Sequence, residues 1–144
     1  MNSAYQIIDA GPLIALLNPR DHYHSWAEEQ FLHTNAALLS CEAAIAEAAH
    51  HLSRSRHKGL KLLIEFANTA PIHIPFSYTQ NRREVLELVD RYSDVPMSFA
   101  DASLVRLSEL YPDAPVLTLD SDFLIYRRNK NEPLPVVIPP ERHK

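Results

Sequence analysis

The sequence predicts an α/β protein, an α/β/α sandwich with a mostly parallel sheet of about five strands. Two observations support this prediction. Five short apolar runs are bounded by turn formers or by helical pattern, and segments with helical spacing lie between them. Strands that are apolar on both faces and alternate with helices are typical of a parallel sheet covered on both sides.

The elements follow one another along the whole chain. The predicted strands are 5–9, 37–40, 72–75, 116–119 and 136–138. The predicted helices are 13–17, 24–33, 42–52, 60–67, 84–92 and 98–111. Because the chain has only 2 Gly but 11 Pro, proline marks most of the breaks between elements.

The length and composition indicate one soluble domain. A chain of 144 residues suits a single core, so we expect one domain over 1–140 and a frayed tail over 141–144. No apolar run approaches the roughly 20 residues that span a bilayer, and the N-terminus lacks a basic segment before a long apolar stretch. Together with the single Cys41, these features predict a cytoplasmic protein without membrane association.

Four short segments place an acidic residue where a strand gives way to a helix or where a helix begins. They are Ile7-Ile8-Asp9-Ala10, Ala44-Ile45-Ala46-Glu47, Phe99-Ala100-Asp101-Ala102 and Leu117-Thr118-Leu119-Asp120-Ser121-Asp122. In open sheets of this kind, ligands bind outside the carboxyl ends of the strands. We therefore expect these carboxylates to meet at one edge of the sheet.

Each acid also has a structural interpretation. Asp9 is suited to cap the helix that follows it. Ser98-Phe99-Ala100-Asp101 has the spacing of a capping box, and Asp120 and Asp122 lie where a helix dipole favours negative charge. Glu47 is the exception, because it falls mid-helix among small residues suited to close packing, where an unpaired buried carboxylate is costly.

The acids taken together point to a cation site. Carboxylates a few ångströms apart raise one another's pKa unless a cation neutralises them. Hard ions such as Mg²⁺ and Mn²⁺ prefer oxygen ligands, and one or two of them can clamp the attacking and leaving oxygens of a phosphodiester. The sequence therefore predicts a Mg²⁺ or Mn²⁺ site.

These motifs resemble those of the PIN domain, in particular the single-domain VapC-type ribonuclease toxins of bacterial toxin–antitoxin pairs. The resemblance spans nearly the whole chain. The segments that carry it are Ile7 to Leu16, Leu39 to Glu47, Pro96 to Val105 and Leu117 to Phe123. No single motif is specific, but the four occur in the family's order. The chain departs from the pattern at Cys41-Glu42, where many relatives have Thr-Glu.

The resemblance implies the roles of particular residues. It implies Asp9, Glu47, Asp101 and Asp120 as catalytic metal ligands, with Asp122 as a supporting metal ligand. It also implies accessory roles for Glu42, Thr118 and Ser121. The implied activity is divalent-metal-dependent endonucleolytic hydrolysis of RNA, leaving 5′-phosphate and 3′-hydroxyl ends.

The resemblance and the surface composition also predict partners. Arg54, Arg56, Lys58 and Lys61 form a basic group that either binds RNA phosphates or is simply a solvated helix end. Segment 84–92 and the aromatic residues Tyr23, Trp26 and Phe31 offer more apolar surface than one core requires. VapC-type toxins commonly form homodimers and bind an antitoxin protein, so the resemblance implies both for this protein.

Other functional classes fit the sequence less well. The Asp120-Ser121-Asp122 motif also resembles a haloacid-dehalogenase nucleophile, but that motif normally lies near the start of a chain. Glu47-Ala48-Ala49-His50 is a single Glu-x-x-His where a di-iron bundle needs two, and His22-x-His24 has no second ligand pair for zinc. The main alternative is a PIN-like module that binds RNA or protein without turnover.

Overall fold

The computed structural model describes residues 3–143, so Met1 and Asn2 of the predicted domain and Lys144 of the predicted tail lie outside it. Seven strands are described: β1 Tyr5–Ile8, β2 Ala37–Leu39, β3 Ile72–His73, β4 Val116–Leu117, β5 Arg127–Arg128, β6 Glu132–Pro133 and β7 Val136–Val137. The helices are α1 Ala10–Leu17, α2 His24–Leu32, α3 Glu42–Ser55, α4 Gly59–Thr69, α5 Arg82–Arg91 and α6 Phe99–Leu110. Short 3-10 turns cover Thr79–Asn81, Ser121–Leu124 and Pro140–Arg142.

Five strands form one parallel sheet in the order β3-β2-β1-β4-β7. The two central pairings set the register of the sheet: Ile7 lies opposite Leu39 of β2 and opposite Val116 of β4. β1 is therefore the middle strand, and its carboxyl end is flanked by those of β2 and β4. The prediction of a mostly parallel five-stranded sheet is confirmed.

Helices cover both faces of this sheet. Neighbouring residues of a strand point to opposite faces, and Ile7 and Ile8 accordingly belong to two separate apolar clusters. The Ile7 cluster contains buried residues of α5 and α6, whereas the Ile8 cluster contains buried residues of α1, α3 and α4. The predicted α/β/α sandwich is thus confirmed, with all six helices within a few residues of their predicted bounds.

A two-stranded antiparallel sheet was not predicted. β5 and β6 pair through Arg127 with Pro133 and Arg128 with Glu132. Arg128 is buried and donates to the backbone oxygen and hydroxyl of Ser108 on α6, and it also pairs with Glu132 at 2.7 Å. This buried arginine fixes the hairpin against α6, so the chain returns to the sheet at β7.

Glycine permits two close approaches between elements. A Cβ at Gly59 would lie only 2.0 Å from the backbone oxygen of Leu52, so α4 can begin against α3 only with glycine there. A Cβ at Gly11 would meet Leu119 at 3.2 Å, so glycine lets the first turn of α1 lie close to the residue before Asp120. The close approach at Gly11 therefore brings the residues next to Asp9 and Asp120 together at the carboxyl edge of the sheet.

The surface differs in part from the sequence prediction. Tyr23, Trp26 and Phe31 are half-buried rather than exposed, and Phe31 packs edge-to-face on Phe66 with ring centroids 5.7 Å apart. They are covered because α2 packs on α1 and Phe31 reaches α4. Between Ser3 and His143 no helix is both long and apolar enough to cross a membrane.

Candidate active site

Four acids predicted from separate parts of the chain line one cleft. The cleft has a volume of about 400 Å³ and lies at the carboxyl end of the central strands. Its lining residues are Asp9, Gly11, Glu47, Pro96, Ser98, Asp101, Leu119, Asp120 and Arg142. The structure therefore brings together the side chains of Asp9, Glu47, Asp101 and Asp120.

Asp9 lies at the end of β1 and is buried. One carboxylate oxygen accepts from the backbone N–H of Ala10 at 2.8 Å, and the other accepts from the Thr118 hydroxyl at 2.7 Å. Burial raises the pKa of Asp9 to about 6, the charges of Asp101 and Glu47 add to the rise, and the two hydrogen bonds oppose it. Asp9 is therefore both the N-cap of α1 and a cleft carboxylate whose charged form is disfavoured by burial.

Asp101 is held by three hydrogen bonds at the start of α6. Its backbone N–H donates to the Ser98 hydroxyl, and its Oδ2 accepts from the Ser98 backbone N–H, so the predicted capping box is present. The Tyr126 hydroxyl donates to the same Oδ2 at 3.0 Å. Partial burial still raises the pKa of Asp101, and the charge of Asp120 adds to the effect.

Glu47 corrects one expectation from the sequence. It is exposed at the mouth of the cleft rather than packed among small residues, because α3 buries Ala44, Ala48 and Leu52 on a different face. Desolvation in the cleft raises the pKa of Glu47, and the charges of Asp101 and Asp120 raise it further. Its link to the other acids is therefore electrostatic.

The segment after β4 joins the acids through one hydroxyl. The Oγ1 atom of Thr118 donates to Asp9 and accepts from the backbone N–H of Asp120 at 2.9 Å. Asp120 then accepts from the backbone N–H of Asp122 at 2.9 Å and caps the short turn that Ser121 begins. Desolvation and the charge of Asp120 raise the pKa of Asp122, which lies beside the cleft and does not line it.

Other predicted site residues lie elsewhere. Glu42 is exposed at the start of α3 and lines a separate apolar groove with Ile45 and Ile74. Cys41, next to it, is buried, and desolvation raises the pKa of its thiol to about 11, so it behaves as a small apolar residue.

The predicted basic group also lies outside the acidic cleft. Arg54 is seven positions beyond Glu47 on α3, a rise of about 10 Å at ~1.5 Å per residue. Arg56 lines a second depression with Arg20 and His57, where the ends of α1 and α3 meet. Lys58 precedes α4 and Lys61 forms an exposed ion pair with Glu65. Any contact of this group with RNA is therefore remote from the acids.

Sequence reasoning missed two residues of the site. Tyr126 is fully buried, and its hydroxyl reaches Asp101 from 25 positions away, a contact with no local signal. Arg142 falls in the segment expected to fray, yet its Nε donates to the backbone oxygen of Leu119 at 2.9 Å and its side chain lines the cleft. Both depend on tertiary contacts, so neither could be read from spacing.

The donor set suits a hard divalent cation. Within residues 3–143, no three His, Cys, Asp or Glu side chains converge closely enough to ligate one ion directly as they are placed. Mg²⁺, however, keeps several waters and is commonly bound through one or two carboxylates. Because the four cleft acids offer only oxygen donors, and neighbouring carboxylates help to raise the pKa of Asp9, Glu47 and Asp101, the site fits a hydrated divalent cation.

Comparison with known proteins agrees with this geometry. A family model described as the PIN domain matches residues 7–129, and the chain therefore belongs to the PIN domain family, a family of nucleases. No curated protein matches the sequence at a significant level.

Two solved structures share the fold. One is VapC20 of Mycobacterium tuberculosis, a toxin that cleaves the sarcin–ricin loop. It is 15% identical with a TM-score of 0.69, and the match covers 81% of this chain and 90% of that one. The other is PAE2754 from Pyrobaculum aerophilum, which is 22% identical with a TM-score of 0.57, over 95% and 92% of the two chains. At these identities the likeness establishes the fold alone.

Asp9 makes the stability of the metal-free protein depend on pH. Its folded pKa of about 6 lies above its ordinary value of 3.8, so the folded state binds this proton more tightly than the unfolded state. The resulting stabilisation is fully present below pH 3.8 and is lost as the pH rises through about 6. The loss due to Asp9 is up to about 3 kcal/mol, at ~1.4 kcal/mol per pKa unit.

We expect urea titrations without divalent cation to show the free energy of unfolding falling between about pH 4 and about pH 6. The D9N variant keeps the size and the capping oxygen, so the fall should be much smaller in that variant. Parallel curves for wild type and D9N would contradict the assignment.

Proposed function

We propose that this PIN domain protein is a divalent-metal-dependent endoribonuclease and the toxin of a toxin–antitoxin pair. The observation that carries the proposal is the single cleft lined by Asp9, Glu47, Asp101 and Asp120. The reaction proposed is hydrolysis: one water adds its oxygen to phosphorus, the bond to the 3′ oxygen breaks, and the water's proton is transferred to that oxygen. The products are a 5′-phosphate and a 3′-hydroxyl.

The carboxylates are proposed to hold Mg²⁺ or Mn²⁺, with Asp122 as a supporting ligand. Such an ion would neutralise the acids, polarise the phosphate and lower the pKa of bound water. The chain's own contribution is to fix the acids in place. Thr118 orients Asp9, while Ser98 and Tyr126 orient Asp101, through hydrogen bonds of 2.7 to 3.3 Å.

The alternative is a PIN-like module that binds RNA or protein without turnover. A binding surface for RNA has no need for four acids in one cleft, because negative charge repels phosphate. That acidic cleft favours the enzyme. A cytoplasmic location and the accessory roles of Glu42 and Ser121 remain predictions from the sequence.

Replacement of Asp101 by Asn separates the two interpretations. Asn keeps the size and much of the capping ability of Asp101 but removes its charge, so a residue that only caps α6 should lose a few tenths of a kcal/mol of stability. We expect D101N to stay folded, to bind Mn²⁺ more weakly and to cleave at least about 100-fold more slowly. The assay is a mixed RNA pool with Mn²⁺, followed by mapping of the cut ends.

The matched control is Asp94→Asn, which removes a charge from an exposed residue that does not line the cleft. We expect this variant to cleave like wild type. Folded D101N that cleaves at the wild-type rate would remove Asp101 from the site, and wild-type protein that leaves RNA uncut with both Mg²⁺ and Mn²⁺ would favour the binding module.

Two exposed apolar surfaces support proposals about partners. α4 exposes Leu60 and Ile64 one turn apart, and Leu32 of α2 is 80% exposed. A groove nearby on α3, α4 and β3 is lined by Ile45, Ala46, Ala67, Ile72 and Ile74. We propose this side of the molecule as the site for an apolar segment of an antitoxin.

Helix α5 carries the second surface, and we propose it as the homodimer interface. Val85 and Leu88 are buried in the core, whereas Leu86 is 69% exposed and Val89 is 39% exposed. We expect sedimentation equilibrium at micromolar protein to give twice the chain mass of 16.4 kDa. Leu86→Glu should dissociate the dimer by burying a charge, whereas Leu60→Glu should leave it intact. A monomer mass for wild type would contradict the dimer.

A further inference from the structure

Arg142 is held against the acidic cleft by the fold. β7 delivers the chain to Pro139, which is buried, and Pro140 opens a 3-10 turn closed by the Arg142 N–H donating to the Pro139 oxygen at 2.9 Å. The Arg142 Nε then donates to the backbone oxygen of Leu119 at 2.9 Å. Arg142 is an exposed residue, and because Leu119 directly precedes Asp120, this hydrogen bond places the guanidinium beside the last acidic motif.

The guanidinium shares the cleft with four acids without pairing with any of them. Among the ion pairs that residues 3–143 form within 4.0 Å, none involves Arg142. The arginine is therefore anchored through Nε to a neutral carbonyl, and its terminal nitrogens are not neutralised by Asp9, Glu47, Asp101 or Asp120. The Arg142 guanidinium thus lies in the same cleft as the four acids but more than 4.0 Å from their carboxylate oxygens.

Such a gap suits a phosphodiester. A ligand that contacts both the cation proposed for the acids and the guanidinium needs negative charge on at least two oxygens that point in different directions. A phosphate has two non-bridging oxygens, and the planar guanidinium matches phosphate geometry with its two terminal NH₂ groups. The hydrogen bond from Nε to Leu119 leaves those two NH₂ groups for the ligand.

We propose that Arg142 is a catalytic residue that binds a non-bridging oxygen of the scissile RNA phosphate, an assignment that rests on the proposed ribonuclease function. Negative charge on these oxygens is stabilised most effectively by positive groups already in position. Arg142 meets this condition because its backbone turn and its Nε are both hydrogen-bonded. The C-terminal turn is therefore part of the site.

The test measures the single-turnover cleavage rate with saturating protein, Mn²⁺ and a labelled single-stranded RNA that wild type cuts. We expect Arg142→Ala to lower the rate about 100-fold. Arg142→Lys should recover part of the loss, because lysine keeps the charge and loses the planar fork. Thermal unfolding checks that both variants fold, and Arg142→Lys keeps the test informative if Arg142→Ala does not.

Two control variants separate this role from general effects. Glu141→Ala changes the same turn at a residue that does not line the cleft, and should cleave like wild type. Arg83→Ala removes the charge of an exposed arginine that does not line the cleft, and it should cleave like wild type. Arg54→Ala tests the predicted RNA-binding group instead: it should weaken RNA binding and reduce the salt slope by about 0.7.

A second readout is Mn²⁺ affinity, measured by electron paramagnetic resonance without RNA. Arg142→Ala should bind Mn²⁺ at least as tightly as wild type, since a nearby positive charge is removed. Cleavage by Arg142→Ala at or above the wild-type rate would overturn the proposal, because the arginine would then only fill the cleft. If wild type and Glu141→Ala both leave RNA uncut, the ribonuclease function itself fails, and this inference fails with it.

Discussion

The hydrogen bond from the Thr118 hydroxyl to the buried Asp9 carboxylate is the interaction on which the site depends. It joins the carboxyl ends of β1 and β4 across the middle of the sheet, and the same oxygen accepts from the backbone N–H of Asp120. One side chain therefore fixes the separation of two acids that are 111 positions apart in the sequence. The parallel pairing of β1 with β4 makes this contact possible.

The structural and functional interpretations of the acids are compatible. Asp9 caps α1, Asp101 completes a capping box and Asp120 caps the turn at Ser121. Positive helix ends stabilise negative charge where it is needed, so the caps supply part of the neutralisation that a cation would complete. The raised pKa values of Asp9 and Asp101 indicate that the caps alone do not suffice.

Local sequence patterns predicted most of the fold. The apolar run at β1 and the small-residue pattern of α3 give clear periodic signals, and capping residues such as Ser98 mark helix starts. The β5–β6 hairpin gave no such signal, because its strands have two residues each and its turn places Asn129 and Lys130, not glycine, at positive φ.

The candidate site was predictable only as far as topology dictates it. Parallel strands and the helices between them bring Asp9, Asp101 and Asp120 to one edge, which can be foreseen from the sequence. The exposure of Glu47 depends on which face α3 buries, and the positions of Tyr126 and Arg142 depend on packing across the finished fold. Side-chain contacts between distant segments leave no periodic trace in the sequence.

Calorimetric titration of the metal-free protein with Mn²⁺, in buffers with different ionisation heats, shows whether the four carboxylates of the cleft form one cation site. If the four carboxylates form one cation site, binding must remove the proton that Asp9 holds with its pKa of about 6. We expect release of about half a proton or more per site near pH ~6, and almost none near pH ~8. Absence of Mn²⁺ binding, or binding with no proton release at either pH, would contradict it.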